Sequence, residues 1–544
     1  MRKLLIISLI FFVCVSTFSC SDAPSDSGKE VKSTNPIVKG GRYRVALKYL
    51  PNSLDPINIS DIYAEAVSKQ IFEGLVRFGP YLEILPALAS SWNIEDEGRV
   101  YRFKIRENAN FHNGQPVTAN DVVFSMKRLL RSGSSSVFMP HLLKITGAKS
   151  YRSRSKDSIS GLQTISPKEV VIRLDEAHSP FLSALGIYQA AIVPEKDVMQ
   201  TEKPFSKYPI GTGPFKFFSY DDECAIRLLR NDDYYETPSF IDEICYKTYK
   251  GKDSYSGILE DFIQGGIDEV PVYKGAREQL ADHKEYNWFQ RPSLSLMFYG
   301  INLQHPKLKS AALREALSIS IDRERYVNEI WGGQYQSART ILPLGMPGYS
   351  PLKLAGDNEV EVAKTLLEKA FIEKKIKIPE LELVSAVKSP IVDLEMELIK
   401  KFWGEIGINI KVKYITDWEQ FDAYLRTDKV QLYRYAWHAD LPDPDSFLYA
   451  LFSSTSPDNF MQYSDEWVDT MLDKARGIVD PVKRIHMYQE IESRIMFSTP
   501  LIPLMYLNVN RVYQPYVKNI NVGALGAHAT SLHSVWLDKP SQSQ

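Results

Sequence analysis

The 544-residue chain carries 65 Lys and Arg against 67 Asp and Glu, a formal net charge of -2, and 44% of its residues are hydrophobic. That length is ample for several domain-sized cores, and a balanced charge without a basic run argues against a nucleic-acid partner. Composition therefore leaves a large exported or intracellular globular protein and decides little else.

Arg2 and Lys3 precede an apolar run from Leu4 to Val15, then small polar residues and Cys20, the pattern of an export signal rather than a membrane span. Residues 1–19 read as a signal peptide. Ser19 before Cys20 resembles a bacterial lipobox, so Cys20 is expected to carry a lipid. The Ser-rich, apolar-poor stretch 20–40 then reads as a flexible tether between lipid and globule. Export makes an oxidising compartment available, so Cys224 and Cys245, each in a strand-like segment, fit either a disulfide or two unpaired core thiols.

The globule opens with the strand-like 42–50, followed by a helix whose Ala64, Val67, Ile71 and Leu75 recur at helical spacing. Residues 99–106 alternate apolar Tyr101, Phe103 and Ile105 with charged neighbours, a strand with one apolar face. The turn Phe111-His112-Asn113-Gly114 follows, and Thr118 with Asp121 three residues on has the form of a capping box. His112 reads as a turn histidine. Gly211-Thr212-Gly213-Pro214 is a tight turn that lacks the Lys-Ser/Thr ending of a phosphate loop. From Ser310 onward helices and strands alternate: a capped helix, a Lys- and Glu-rich helix over 359–375, a strand at 381–387, a helix over 393–406, a strand at 408–415 and a helix over 418–426. That alternation is expected of an open α/β sheet. A helical pattern over 467–497 and a strand at 501–513 complete it.

The stretch 433–448, YRYAWHADLPDPDSFL, carries the functional expectation. It opens as a strand, in which Arg434, Ala436, His438 and Asp440 alternate onto one face, with Tyr435 and Trp437 on the other. Arg434 and Asp440 then stand roughly 20 Å apart along the backbone, room for a short zwitterionic peptide between opposite charges. A surface strand ending in an Asp- and Pro-rich turn explains the same residues without a ligand.

Catalytic signatures are absent or scattered. Ser-x-x-Lys occurs at Ser153, Ser350 and Ser385 without Ser-Asp-Asn, Lys-Thr-Gly or a Gly-x-Ser-x-Gly elbow, so no hydrolase is expected. Nine His spread along the chain form no metal-ligand pattern, and no cofactor is expected.

Trp92, the aromatic strand, Phe-His-x-Gly, Thr-Ala-x-Asp-Val and a basic helix end, together with Trp437, Asp440, Asp443, Pro444 and Phe447, resemble family 5 of the bacterial extracellular solute-binding proteins. The likeness is to the oligopeptide and dipeptide binders of ABC importers and runs over about residues 41–538. It implies an α/β fold of the type II periplasmic-binding-protein kind, two lobes joined by a hinge with an extra subdomain on the first. Lobe 1 would be 41–76, 200–297 and 508–538, the extra subdomain 77–199, and lobe 2 298–507. It also implies that Asp440 pairs with a peptide α-amino group and Arg434 with the carboxylate, with His438, Trp437 and Ala436 near the ligand. The partners would be a short peptide, permease and ATPase chains, and the membrane through the lipid, around a monomeric receptor. Glutathione, a nickel chelate or haem are the alternative solutes.

Overall fold

The computed structural model describes residues 38–539 apart from 60, 134–135, 200–202, 250–253, 273, 352–355, 373–376 and 378; the signal, Cys20 and most of the tether lie outside them. β1 (Arg42–Leu47) buries Tyr43, Val45 and Leu47, the period of two expected of a strand with one covered face. Asp61 caps α1 (Ile62–Ile71) by accepting from the Tyr63 and Ala64 amides, and the helix turns Ala64, Val67 and Ile71 inward. A hairpin of β2 (Val76–Phe78) and β3 (Ile84–Pro86) leads to an antiparallel sheet of β4 (Ala89–Glu95), β5 (Val100–Ile105), β6 (Leu162–Ser166) and β7 (Glu169–Arg173), in the order β4-β5-β7-β6. α2 (Ala119–Arg131) covers it with Val122, Met126 and Leu129. The Thr118 amide donates to the Asp121 carboxylate at 2.8 Å, so the capping box is formed.

β8 (Phe215–Ser219), β9 (Ile226–Arg230) and β10 (Glu243–Thr248) join β1 in a second sheet, order β1-β10-β9-β8, with β1 parallel to β10. A disulfide joins Cys224, just before β9, to Cys245 in β10. The two short motifs flanking this region hold each other. The His112 imidazole donates to the Gly213 carbonyl at 3.0 Å and accepts from the Gly211 amide at 3.2 Å, and burial pushes its pKa down to about 4. A Cβ on Gly211 would stand 2.0 Å from the Ile71 carbonyl oxygen. Glycine is needed there for close packing against the end of α1.

The largest sheet gathers β11 (Glu269–Pro271), β12 (Asn287–Ile301), β13 (Gln336–Ser337), β14 (Leu381–Ser385), β15 (Ile410–Tyr414), β16 (Leu432–His438) and β17 (Leu501–Tyr513), in the order β11-β17-β12-β16-β14-β15 with β13 on β17. β12 and β17 are long enough to serve two cores. Phe289 and Tyr513 pack with the β1 sheet, whereas Phe298, Tyr299, Leu501 and Ile502 belong to the clusters on either face of the far half. One face is covered by the helices Ala311–Ile319 and Pro390–Glu405, the other by Asp445–Phe452, Glu466–Gly477 and Pro481–Phe497.

Two expectations change. The helical pattern over 467–497 is two helices, because Pro481 lacks an amide donor and Asp480 accepts from the Val482 and Lys483 amides to start the second. The helix expected over 359–375 is Val360–Leu367 continued by a wider turn, Glu368–Ile372, with 373–375 outside the described residues. Among the described residues no helix is long and apolar enough to cross a membrane.

Candidate ligand-binding cleft

β16 sits between β12 and β14, but its pairing with β14 ends at Tyr433. From Arg434 onward its β14-side edge has no strand partner among the described residues. The chain then turns through Leu441-Pro442-Asp443-Pro444, and that turn is clamped. Arg484 grips Asp443 through two bonds of 2.7 and 2.8 Å, and Arg476 pairs with Asp445 at 2.9 Å. Trp437 Nε1 donates to the Ser446 carbonyl at 2.6 Å, so the strand is pinned to its own turn. Leu441 is buried among the core residues of the β4–β7 unit, which fixes the preceding Asp440 where that unit meets the large sheet.

Asp440 faces a cavity of about 70 Å³ lined also by Glu65 and Lys69 of α1, by Tyr188 and by His528. A second cavity of about 210 Å³ adjoins it, the two sharing Lys69, Phe78, Leu525 and Ala529. Asp440 is exposed on the cleft wall, and the partial desolvation of that wall pushes its carboxyl up to about 6, with Asp458 adding to the rise. Glu65 is pushed further, to about 8, chiefly by burial, and Lys69 offsets only part of that. Its nearest basic neighbour is His528, at 3.8 Å. Burial lowers the His528 pKa to about 4 and also lowers that of His438, whose Nδ1 is 2.7 Å from Ser295 Oγ. At neutral pH the cleft thus presents an anionic Asp440, a protonated Glu65 and neutral imidazoles.

The strand's alternation is as expected, but Arg434 is not free. Its Nε donates to both Glu395 oxygens, at 2.9 and 3.0 Å, and the Tyr299 hydroxyl donates to the same carboxylate at 2.7 Å. Glu395 is fully buried. Burial opposes the Arg434 charge, and Glu395 with Tyr326 and Tyr299 more than offsets it, holding the guanidinium protonated. Arg434 is therefore neutralised inside the protein, which corrects the expectation of a cation facing Asp440 across an open site. Ala436 packs against the same apolar cluster as Tyr299, and Trp437 against the opposite one. Among the expected residues, Asp440 lines the cavity.

Glu65, Lys69, Tyr188 and His528 were not anticipated. The signal for the first two was in the sequence: Glu65, Lys69, Glu73 and Arg77 recur every fourth residue, a row that ordinarily marks a solvated helix face. Tyr188 reaches the cleft from the short helical turn Tyr188–Ala190 and His528 from a distant loop, which spacing does not reveal.

A family model described as the middle part of the bacterial extracellular solute-binding proteins, family 5, matches residues 83–459. The chain belongs to that family. Curated relatives match most of its length. It is 25% identical over 505 residues, 90% of each chain, to the dipeptide-binding protein DppE of Bacillus subtilis. It is 23% identical over 463 residues, 81% of this chain and 82% of the relative, to the haem-binding protein A of Haemophilus influenzae. The unliganded open form of the murein tripeptide-binding protein MppA superposes with a TM-score of 0.80 at 21% identity, over 93% of this chain and 99% of that one. That likeness establishes the two-lobed, type II-like α/β fold of the family 5 proteins. These relatives are solute-binding proteins rather than enzymes.

Proposed function

We propose that the chain is the peptide receptor of an ABC importer, exported, anchored through a lipid on Cys20, and acting as a monomer that passes its ligand to a permease driven by a separate ATPase. In this reading 41–76, 200–297 and 508–538 form lobe 1 and 298–507 form lobe 2. The segment 77–199 is the extra subdomain, and β12 and β17 supply the hinge. The observation that carries the reading is Asp440, an unpaired carboxylate at the end of a strand with an open edge. An extended peptide can add its main chain to such an edge while its ammonium meets the carboxylate. The charge-assisted bond contributes about 1.5–3 kcal/mol. The two adjoining cavities together fall below the roughly 300 Å³ at which ligand pockets begin, so a peptide enters as the lobes part and is enclosed as they close. The peptide-binding names among the relatives support this class of solute.

A dedicated small solute is the second reading, favoured by the haem-binding relative and by His438 and His528, neutral imidazoles that lie near one another. Mass spectrometry of material released by mild acid from the tag-free domain separates the two. The peptide reading expects a mixture of short peptides; a single compound such as glutathione, a metal chelate or haem overturns it.

A further inference from the structure

We infer that Lys69, on α1 in the first lobe, receives the carboxylate end of the ligand, so that a short peptide bridges Asp440 of one lobe to Lys69 of the other. The inference rests on the peptide reading above and adds the second anchor that Arg434 does not supply.

Lys69 lines both cavities, including the one that contains Asp440. A lysine in the last turn of a helix ordinarily complements the helix dipole in water or pairs with a carboxylate four residues away. Lys69 departs from that pattern. Among the described residues no acceptor lies within hydrogen-bonding distance of its ammonium, and burial lowers its pKa although Glu73 and Glu65 act to raise it. Neither carboxylate is committed to it. Glu73 accepts from the Tyr234 hydroxyl at 2.8 Å and lies 3.8 Å from Arg77. Glu65 rises to about 8, which an intimate bond to a lysine would prevent. The partly buried ammonium thus stands on the cavity wall without a protein acceptor, and a ligand carboxylate there would form a charge-assisted bond. The same carboxylate would meet Glu65 in its protonated form, which can donate rather than repel.

Charge complementarity follows. The cavity that Asp440 and Lys69 share offers one anion and one cation from opposite lobes, with Glu73 and Arg77 lining only the adjoining cavity, and so matches a zwitterion whose two ends stabilise the closed arrangement together.

The test is calorimetry with di-, tri- and tetra-alanine, each with a free or an amidated C-terminus, on the wild type and on Lys69→Met and Lys69→Gln. Wild type is expected to bind at least one free acid tenfold or more tightly than its amide, a difference of about 1.4 kcal/mol. Both variants are expected to lose about that factor for the acid and to bind acid and amide alike. Lys69→Gln keeps length and polarity, so it carries the comparison if Lys69→Met does not fold, and Lys69→Arg should retain the preference. An unchanged acid-to-amide ratio in the folded variants, or no such preference in the wild type, overturns the assignment of Lys69 while leaving peptide binding in place. No binding of any of these peptides by the wild type overturns the peptide reading and the inference together.

Discussion

At one end of β16 a guanidinium is locked to a carboxylate inside the protein, and six residues later a carboxylate of the same segment stands unpaired where the β4–β7 unit meets the large sheet. Arg434 and Glu395 desolvate each other's charge and satisfy it with Tyr299, so their free energy is invested in holding the lobe together. Asp440 is held by the clamped turn behind it, stands exposed on the cleft wall, and among the described residues has no cation partner. Two charges that look equivalent in the sequence therefore differ in what they stabilise: one the folded lobe, the other a partner that has yet to arrive.

The largest effect should come from breaking the locked end. Glu395→Ala strands a buried Arg434, and unfolding in urea should show a loss of about 3–5 kcal/mol. Replacing both, as Glu395→Leu with Arg434→Met, should recover most of that and leave ligand affinity unchanged. A tenfold affinity loss in the folded double variant would show Arg434 reaching the ligand after all.

At the open end the effect is on binding. The Asp440 carboxyl titrates near 6 without ligand, and only its ionised form pairs with an ammonium. Affinity for peptide should be greatest near pH 7, below the titration of the ligand's own amine, and fall about tenfold by pH 5, the size of one protonation over that interval. Glu65, near 8, stays protonated across this window and His528, near 4, stays neutral, so Asp440 is the wall carboxylate that changes. Calorimetry at the two pH values checks this, with Asp440→Asn expected to be flat.

The smallest effect is a stability trend at Glu65. A carboxyl whose folded pKa lies above its unfolded value contributes stability at low pH that is lost as pH rises toward the folded pKa. For Glu65 that window runs from its ordinary value near 4.5 up to about 8. Glu65→Gln should therefore melt like the wild type near pH 4 and at a higher temperature near pH 9. A melting difference independent of pH would mean the carboxyl is not desolvated as the cleft geometry requires.

Much of the fold could be read from sequence because local rules and packing agree there. Thr118 and Asp121 cap the helix they appear to cap, Tyr101 and Phe103 point inward, and the strand phase of 433–438 survives. The helix break at Pro481 was equally visible in principle and was masked by the apolar spacing on either side. The cleft was less legible. Alternation placed Arg434 and His438 on one face, but a face is not an exposure. Glu395, 39 residues earlier in the chain, decides that Arg434 is internal. In the same way Lys69 follows the spacing of a wet helix face and lines a cavity only because residues 525–529 and the 439–440 segment close over it.

The central claim is that Asp440 binds the ligand's free amino terminus, and a double cycle of Asp440→Asn against N-acetylation of trialanine tests it most directly by calorimetry. The account predicts that acetylation weakens binding to the wild type at least tenfold and makes no difference to the variant. If Asp440→Asn keeps the wild-type preference for the free amine, the ammonium is held elsewhere and Asp440 is not its anchor.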